Sequence, residues 1–197
     1  MSRKKDIRLW ATRFQDDLAE LLDFVSTMGR GASDKHKTLI YDAAIIRLYR
    51  HFEEFMLNVL VALVNKDNRV FCAEAGVDFP KHLTDEVCEY LITRITGGKY
   101  FDFHGRSSLL DLFYKCAGKG HTITLIIKDP MYQTTLDQLT ALRNFAAHGS
   151  KQSKLAALRV TSQKNMSSSG AWLKTAGRFD ALVANLRQLA ETIRLSS

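Results

Sequence analysis

The sequence predicts an all-α protein, a helical bundle around one long central helix at 34–67. Three observations predict it. Apolar residues recur at three- and four-residue intervals along most of the sequence, the spacing of one helix face. Only two prolines and eleven glycines punctuate 197 residues, and the stretch from Asp34 to Asp67 contains neither. Just one segment, Thr122 to Ile127 (TITLII), is β-branched enough for a strand, and a single strand has no partner to pair with.

The elements follow in order. Ile7 to Met28 places Leu9, Trp10, Phe14, Leu18, Leu21, Leu22, Phe24 and Val25 at helical spacing, and Gly29 and Gly31 close it. Ser33 or Asp34 offers an N-cap to the long helix. The first half of that helix is half-polar; Phe52 to Val64 is apolar almost all round, as a central helix requires. After a loop at Gly76–Pro80, Thr84 caps a helix through Ile95, and Gly97-Gly98 stops it. Ser107 to Ala117 reads as a short helix ended by Gly118, and Thr122–Ile127 as a buried extended segment or a helix start. Tyr132 to His148 is a helix that begins after Pro130 and stops at Gly149. Lys154–Val160 has no decisive pattern, and Thr161–Gly170 reads as polar loop. Phe179 to Leu195 forms a last amphipathic helix with Leu182, Val183, Leu186, Leu189 and Ile193 on one stripe. The organisation expected is an accessory helix at 1–32 and a helical domain at 33–197, one globular unit overall.

Composition narrows the function classes. A hydrophobic fraction of 46% and a charged fraction of 25% exclude wholesale disorder. The basic start MSRKKDIRLW leads into no apolar run of a secretion signal. The most apolar stretch, Phe55–Val64, is ten residues long and contains Asn58, whereas a membrane span needs about 20. Cys72, Cys88 and Cys116 are odd in number and widely spaced, so no disulfide framework is expected and the location expected is the cytoplasm. With no CxxC or HxxxH pair, His82, His104 and His121 are not expected to hold a metal, and no cofactor is implied. Tyr100 and Trp172 read as core or rim aromatics.

The charge is uneven. Net charge is +7 overall, yet residues 1–142 balance at 19 basic and 19 acidic side chains. Residues 143–197 hold nine Lys and Arg against Asp180 and Glu191 alone. A basic excess of this kind favours a polyanionic partner, nucleic acid first.

The excess begins at the one constellation suited to chemistry, Leu142-Arg143-Asn144-Phe145-Ala146-Ala147-His148-Gly149. Asn144 and His148 are four apart and share a helix face, with Arg143 on the flank. Ala146 and Ala147 keep the surface low, Gly149 frees the backbone to turn, and the helix C-terminus favours a cation at His148. Spacing alone is a weak signal. Arg30 and His36 give a similar pair in GRGASDKH, but there it falls in a Gly/Ser loop. The GKGH stretch at Gly118–His121 lacks the rest of a phosphate-binding loop.

The segment LRNFAAHGS resembles the motif of HEPN-domain proteins, all-α domains whose active members are metal-independent ribonucleases. The resemblance extends upstream to RLYRHFEEFM, Arg47 to Met56, and downstream through Gly149–Lys154 to the terminal helix. In layout it is closest to the RiboL-PSP-type HEPN group and covers about residues 35–195. It implies a homodimer pairing motif helix against motif helix, with the active site at the seam. It also implies a hydrolase that cleaves RNA by 2′-OH attack, leaving a 2′,3′-cyclic phosphate and a 5′-OH. Arg143 would bind the phosphate, His148 would move protons, and Asn144 would orient His148 or the backbone. Glu53 is a supporting candidate, although with Glu54 and Arg50 it also reads as a solvated helix face. Lys151 and Lys154 would grip RNA. The resemblance further implies a toxin or defence effector with a cognate antitoxin or defence-system partner. The alternative is a catalytically silent HEPN-like module that binds RNA or a partner protein.

Overall fold

The computed structural model describes residues 5–80, 83–95, 101 and 104–197; the expected stop at Gly97-Gly98, His82 and Tyr100 lie outside them. The described residues form ten helices and no strand, so the protein is all-α. The helices are α1 (Ile7–Gly29), α2 (Asp34–Lys66), α3 (Arg69–Ala75), α4 (Asp85–Ile95) and α5 (Arg106–Ala117), then α6 (Thr122–Lys128), α7 (Pro130–His148), α8 (Lys151–Val160), α9 (Ser169–Leu173) and α10 (Arg178–Leu195). Among the described residues no helix is long and apolar enough to cross a membrane.

By internal contacts the protein divides into two compact units, and α1, α2 and α10 each contribute residues to both. One unit holds residues up to 13, 53–129 and 189–197. Its centre is the apolar half of α2, where Phe55, Met56, Val59, Leu60 and Val61 are all buried. Buried side chains on several faces of one helix are what an all-round apolar run dictates. Cys88 and Ile92 of α4 and Leu109, Phe113 and Cys116 of α5 are buried in the same unit.

In the same unit TITLII is helix α6, which settles the ambiguity left by its β-branched composition. The His121 imidazole caps the helix, Nδ1 accepting from the Ile123 amide at 3.2 Å, and Ile123 and Ile127, four apart, are buried together. A cap and one buried face outweigh the few tenths of a kcal/mol by which β-branched residues disfavour helix.

The other unit holds residues 14–52 and 130–188. Phe14 meets Phe52 with ring centroids 6.0 Å apart, and Tyr41 meets Phe179 edge-on at 5.5 Å. Helix α7 buries Tyr132, Leu136, Leu139, Leu142 and Phe145, the three- and four-residue stripe of its sequence. The segment 154–160 is the body of α8, which begins where Ser150 accepts a hydrogen bond from the Ser153 amide.

Thr161–Gly170 is not loop throughout: α9 opens at Ser169 with Ser168 as its cap. This short helix is tied down twice. The fully buried Ser169 hydroxyl donates to the Leu142 carbonyl at 2.7 Å, and the Gly170 amide donates to Asp42 Oδ1 at 2.6 Å. Gly170 has to be glycine, because a Cβ there would lie 2.0 Å from the Thr38 carbonyl oxygen.

Candidate functional site

The last two turns of α7 carry the motif. Leu142 and Phe145 are buried and fix the helix rotation, leaving Arg143 and Asn144 half-buried and Ala147 and His148 exposed. The Ser169 hydroxyl reaches the carbonyl of Leu142, the residue before Arg143, and so ties this turn to α9.

Arg143 is held from two sides. Its guanidinium carbon stands 4.5 Å from the centroid of the Tyr49 ring on α2, and Tyr49 is itself buried. Nη1 donates to Asn144 Oδ1 at 2.8 Å. A guanidinium over an aromatic face is attracted by the ring quadrupole, by about 0.5–1 kcal/mol at exposed sites and more when desolvated. The planar group therefore has a fixed pose before any ligand arrives, as bidentate anion recognition favours.

His148 is the last residue of α7, and its exposed imidazole has no hydrogen-bond partner among the described residues. Asn144, on the same helix face, has its carbonyl oxygen on Arg143. Gly149 follows with φ of 60°, and its amide donates to the Phe145 carbonyl at 3.0 Å. This left-handed C-terminal cap turns the backbone sharply into the Ser150 cap of α8. Helices α7 and α8 pack against each other, and Lys151 is exposed in the first turn after the corner, with Lys154 half-buried one turn on. No Asp or Glu occurs in the sequence from Arg143 to Phe179. An exposed imidazole, a preset guanidinium and two lysines on a stretch without carboxylates can bind a phosphodiester and move a proton beside it.

Glu53 is half-buried on α2 and belongs to the unit that does not contain α7. Its neighbour Glu54 lies 3.8 Å from Arg13 in a surface ion pair. Trp172 is half-buried under the Arg178 guanidinium at 4.7 Å.

No group of three or more His, Cys, Asp and Glu among the described residues could hold a metal ion. Burial pushes the Cys116 thiol up to about 12, so it stays protonated.

Sequence reasoning missed Tyr49. No local pattern connects it to Arg143, since they lie on different helices 94 positions apart. It also missed the half-buried pairing of His51 with Asp17, 3.2 Å apart. The Arg47–His51 spacing of four was visible, but nothing local pointed to Asp17.

No family model, curated protein or solved structure shows a significant match to this sequence.

Proposed function

We propose that the protein is a metal-independent endoribonuclease whose site forms where the α7 helices of two copies meet. The observation that carries this reading is the Arg143 guanidinium, stacked on buried Tyr49 and bonded to Asn144, which lies one helical turn before the exposed His148. The resemblance of LRNFAAHGS to the HEPN motif supplies the reaction class.

In the reaction the RNA 2′-oxygen attacks the adjacent phosphorus. A 2′-O–P bond forms, the P–5′-O bond breaks, and the products are a 2′,3′-cyclic phosphate and a 5′-OH. One imidazole accepts the 2′-OH proton and another gives a proton to the leaving 5′-oxygen. A two-fold seam supplies both roles from two copies of His148. Arg143 contacts the non-bridging oxygens, where negative charge develops. Asn144 acts through Arg143 as a positioning residue. Lys151 and Lys154 hold flanking phosphates, and DNA, lacking the 2′-OH, is not cut. A toxin or defence role in the cytoplasm, with an antitoxin or system partner, is the biological setting that fits this activity.

The test is degradation of single-stranded RNA in EDTA, with product ends identified by mass spectrometry. Cyclic-phosphate ends are expected, and His148→Ala is expected to lose at least about a hundredfold in rate while its circular dichroism and sedimentation stay unchanged. Full activity in His148→Ala, or intact RNA with the wild-type protein, ends the catalytic reading.

One observation favours a second reading, an RNA-binding module without catalysis. Asn144 is engaged with Arg143, which leaves His148 without an orienting partner among the described residues. That module would bind RNA with steep salt dependence and leave it intact.

A further inference from the structure

Within the unit that holds 14–52 and 130–188, α1 and α2 enclose an open cavity of about 420 Å³. It lies within the size range of small-molecule sites, about 300–1,000 Å³. One wall is polar. His51 Nδ1 lies 3.2 Å from Asp17 Oδ2, and its Nε2 accepts a hydrogen bond from Arg47 Nε at 2.9 Å. The two contacts require the proton on Nδ1 and the lone pair on Nε2. The Asp17 and His51 side chains are only 27% and 13% exposed, so this pair is shielded and fixes the ring to which Arg47, itself exposed, donates.

What the relay leaves unused is specific. It occupies Arg47 Nε, and the Nη groups have no partner among the described residues. Glu20 likewise has no ion-pair or hydrogen-bond partner among the described residues, and it lines the same cavity from α1. The rest of the wall is apolar: Ala43 and Ala44 make a low floor, and Phe24 stands beside it, 43% exposed.

We infer that this cavity binds a small amphipathic zwitterion, a free α-amino acid with a large apolar side chain. The carboxylate goes to the Arg47 fork, the ammonium to Glu20 with Asp17 behind it, and the side chain over Ala43 and Ala44 against Phe24. Charge balance selects this class over simpler ones. A phosphate or other polyanion faces two carboxylates against one guanidinium. A bare cation meets Arg47, and an uncharged apolar molecule leaves Glu20 and the Arg47 fork unmatched. The site is separate from the α7 motif and stands independently of the ribonuclease reading.

The experiment is calorimetry and saturation-transfer NMR on the full-length protein with L-phenylalanine and L-leucine. Glycine, N-acetyl-L-phenylalanine and L-phenylalanine amide are the comparison ligands. The expected result is saturable binding of phenylalanine or leucine, with each comparison ligand weaker by about tenfold or more. Each of Glu20→Gln and Arg47→Gln is expected to cost a similar factor, and Ala43→Trp to abolish binding by filling the floor. Circular dichroism checks that these substitutions leave the fold intact. Four results overturn the inference. They are no binding of either amino acid, glycine binding equally well, the N-acetyl form binding equally well (the carboxyl end of a peptide), and the amide binding equally well (the amino end of a peptide).

Discussion

Arg143 shows what a single residue's neighbourhood adds to a motif. An arginine near a helix end has an ordinary explanation, a charge that complements the last carbonyls. Stacking on the buried Tyr49 ring and bonding to Asn144 give it a fixed pose that this explanation does not require. The spacing of Arg143, Asn144 and His148 on one helix could be read directly, because i,i+4 geometry is local. The aromatic support could not, because it comes from a helix almost a hundred positions earlier in the sequence. On the proposed ribonuclease reading, Tyr49→Phe keeps the ring face and is expected to keep RNA cleavage within about twofold, since the face carries the attraction. Tyr49→Leu removes the quadrupole and is expected to slow cleavage by about fivefold to tenfold, the equivalent of about 1 kcal/mol. Steady-state kinetics on a short RNA checks the pair. Equal rates for both variants would show that Arg143 is positioned by something else.

At the scale of an element, caps and close approaches decided what composition left open. The stretch TITLII has a strand-like composition, but His121 supplies a cap acceptor and Ile123 and Ile127 fall on one buried face. The cap makes α6 sensitive to pH. Burial, with the Lys66 charge adding to it, holds the His121 imidazole below its ordinary value of 6.5. The folded protein therefore binds this proton less readily than the unfolded one. The stabilising contribution is present above about pH 6.5 and is lost as pH falls through the lower folded value. Relative to His121→Asn, which keeps a capping oxygen, the wild-type melting temperature is expected to drop as pH falls from about 7 to 5. Parallel curves in differential scanning calorimetry would rule the coupling out. Helix α9 makes the complementary point, and nothing in TSQKNMSSSG announces its docking. Gly170 is needed because the Thr38 carbonyl is so close, and a glycine in a polar run looks the same whether it turns a loop or admits another backbone. Gly170→Ala is expected to destabilise by about 3 kcal/mol or more, as overpacking against main chain does; urea titration checks it. The partner of Gly170, Asp42, has its carboxyl raised by burial, partly countered by the Gly170 amide and the Ser168 side chain. A raised folded value favours folding at low pH, and that contribution is lost as pH rises through it. Asp42→Asn, which retains the oxygen acceptor, is therefore expected to gain stability over the wild type as pH rises from the ordinary carboxylate range. A gain that shrinks with rising pH in urea titrations would contradict the burial argument.

For the whole molecule, the helical class was legible because it is the sum of many local periodicities. The contact units were not, because each gathers residues distant in sequence, running across α1, α2 and α10. Charge was legible as a total, and its placement gives it consequence. The +7 arises entirely from Arg143 onward, and no carboxylate side chain occurs from there to Phe179. If this segment holds an RNA backbone, affinity must fall with salt through release of condensed cations, with a slope set by the number of phosphates neutralised. Lys151→Ala with Lys154→Ala removes two charges just past the motif. The slope of log affinity against log salt is expected to become shallower by about 1.4, at about 0.7 per single-strand contact. His148→Ala, used as the background so that RNA stays intact, should bind with the full wild-type slope. The same charge change placed at Lys35 and Lys37, on α2 of the same unit, should leave the slope unaltered. A loss of slope that follows net charge wherever it is removed would mean that the basic excess acts as a diffuse field, not through phosphate contacts just past Arg143.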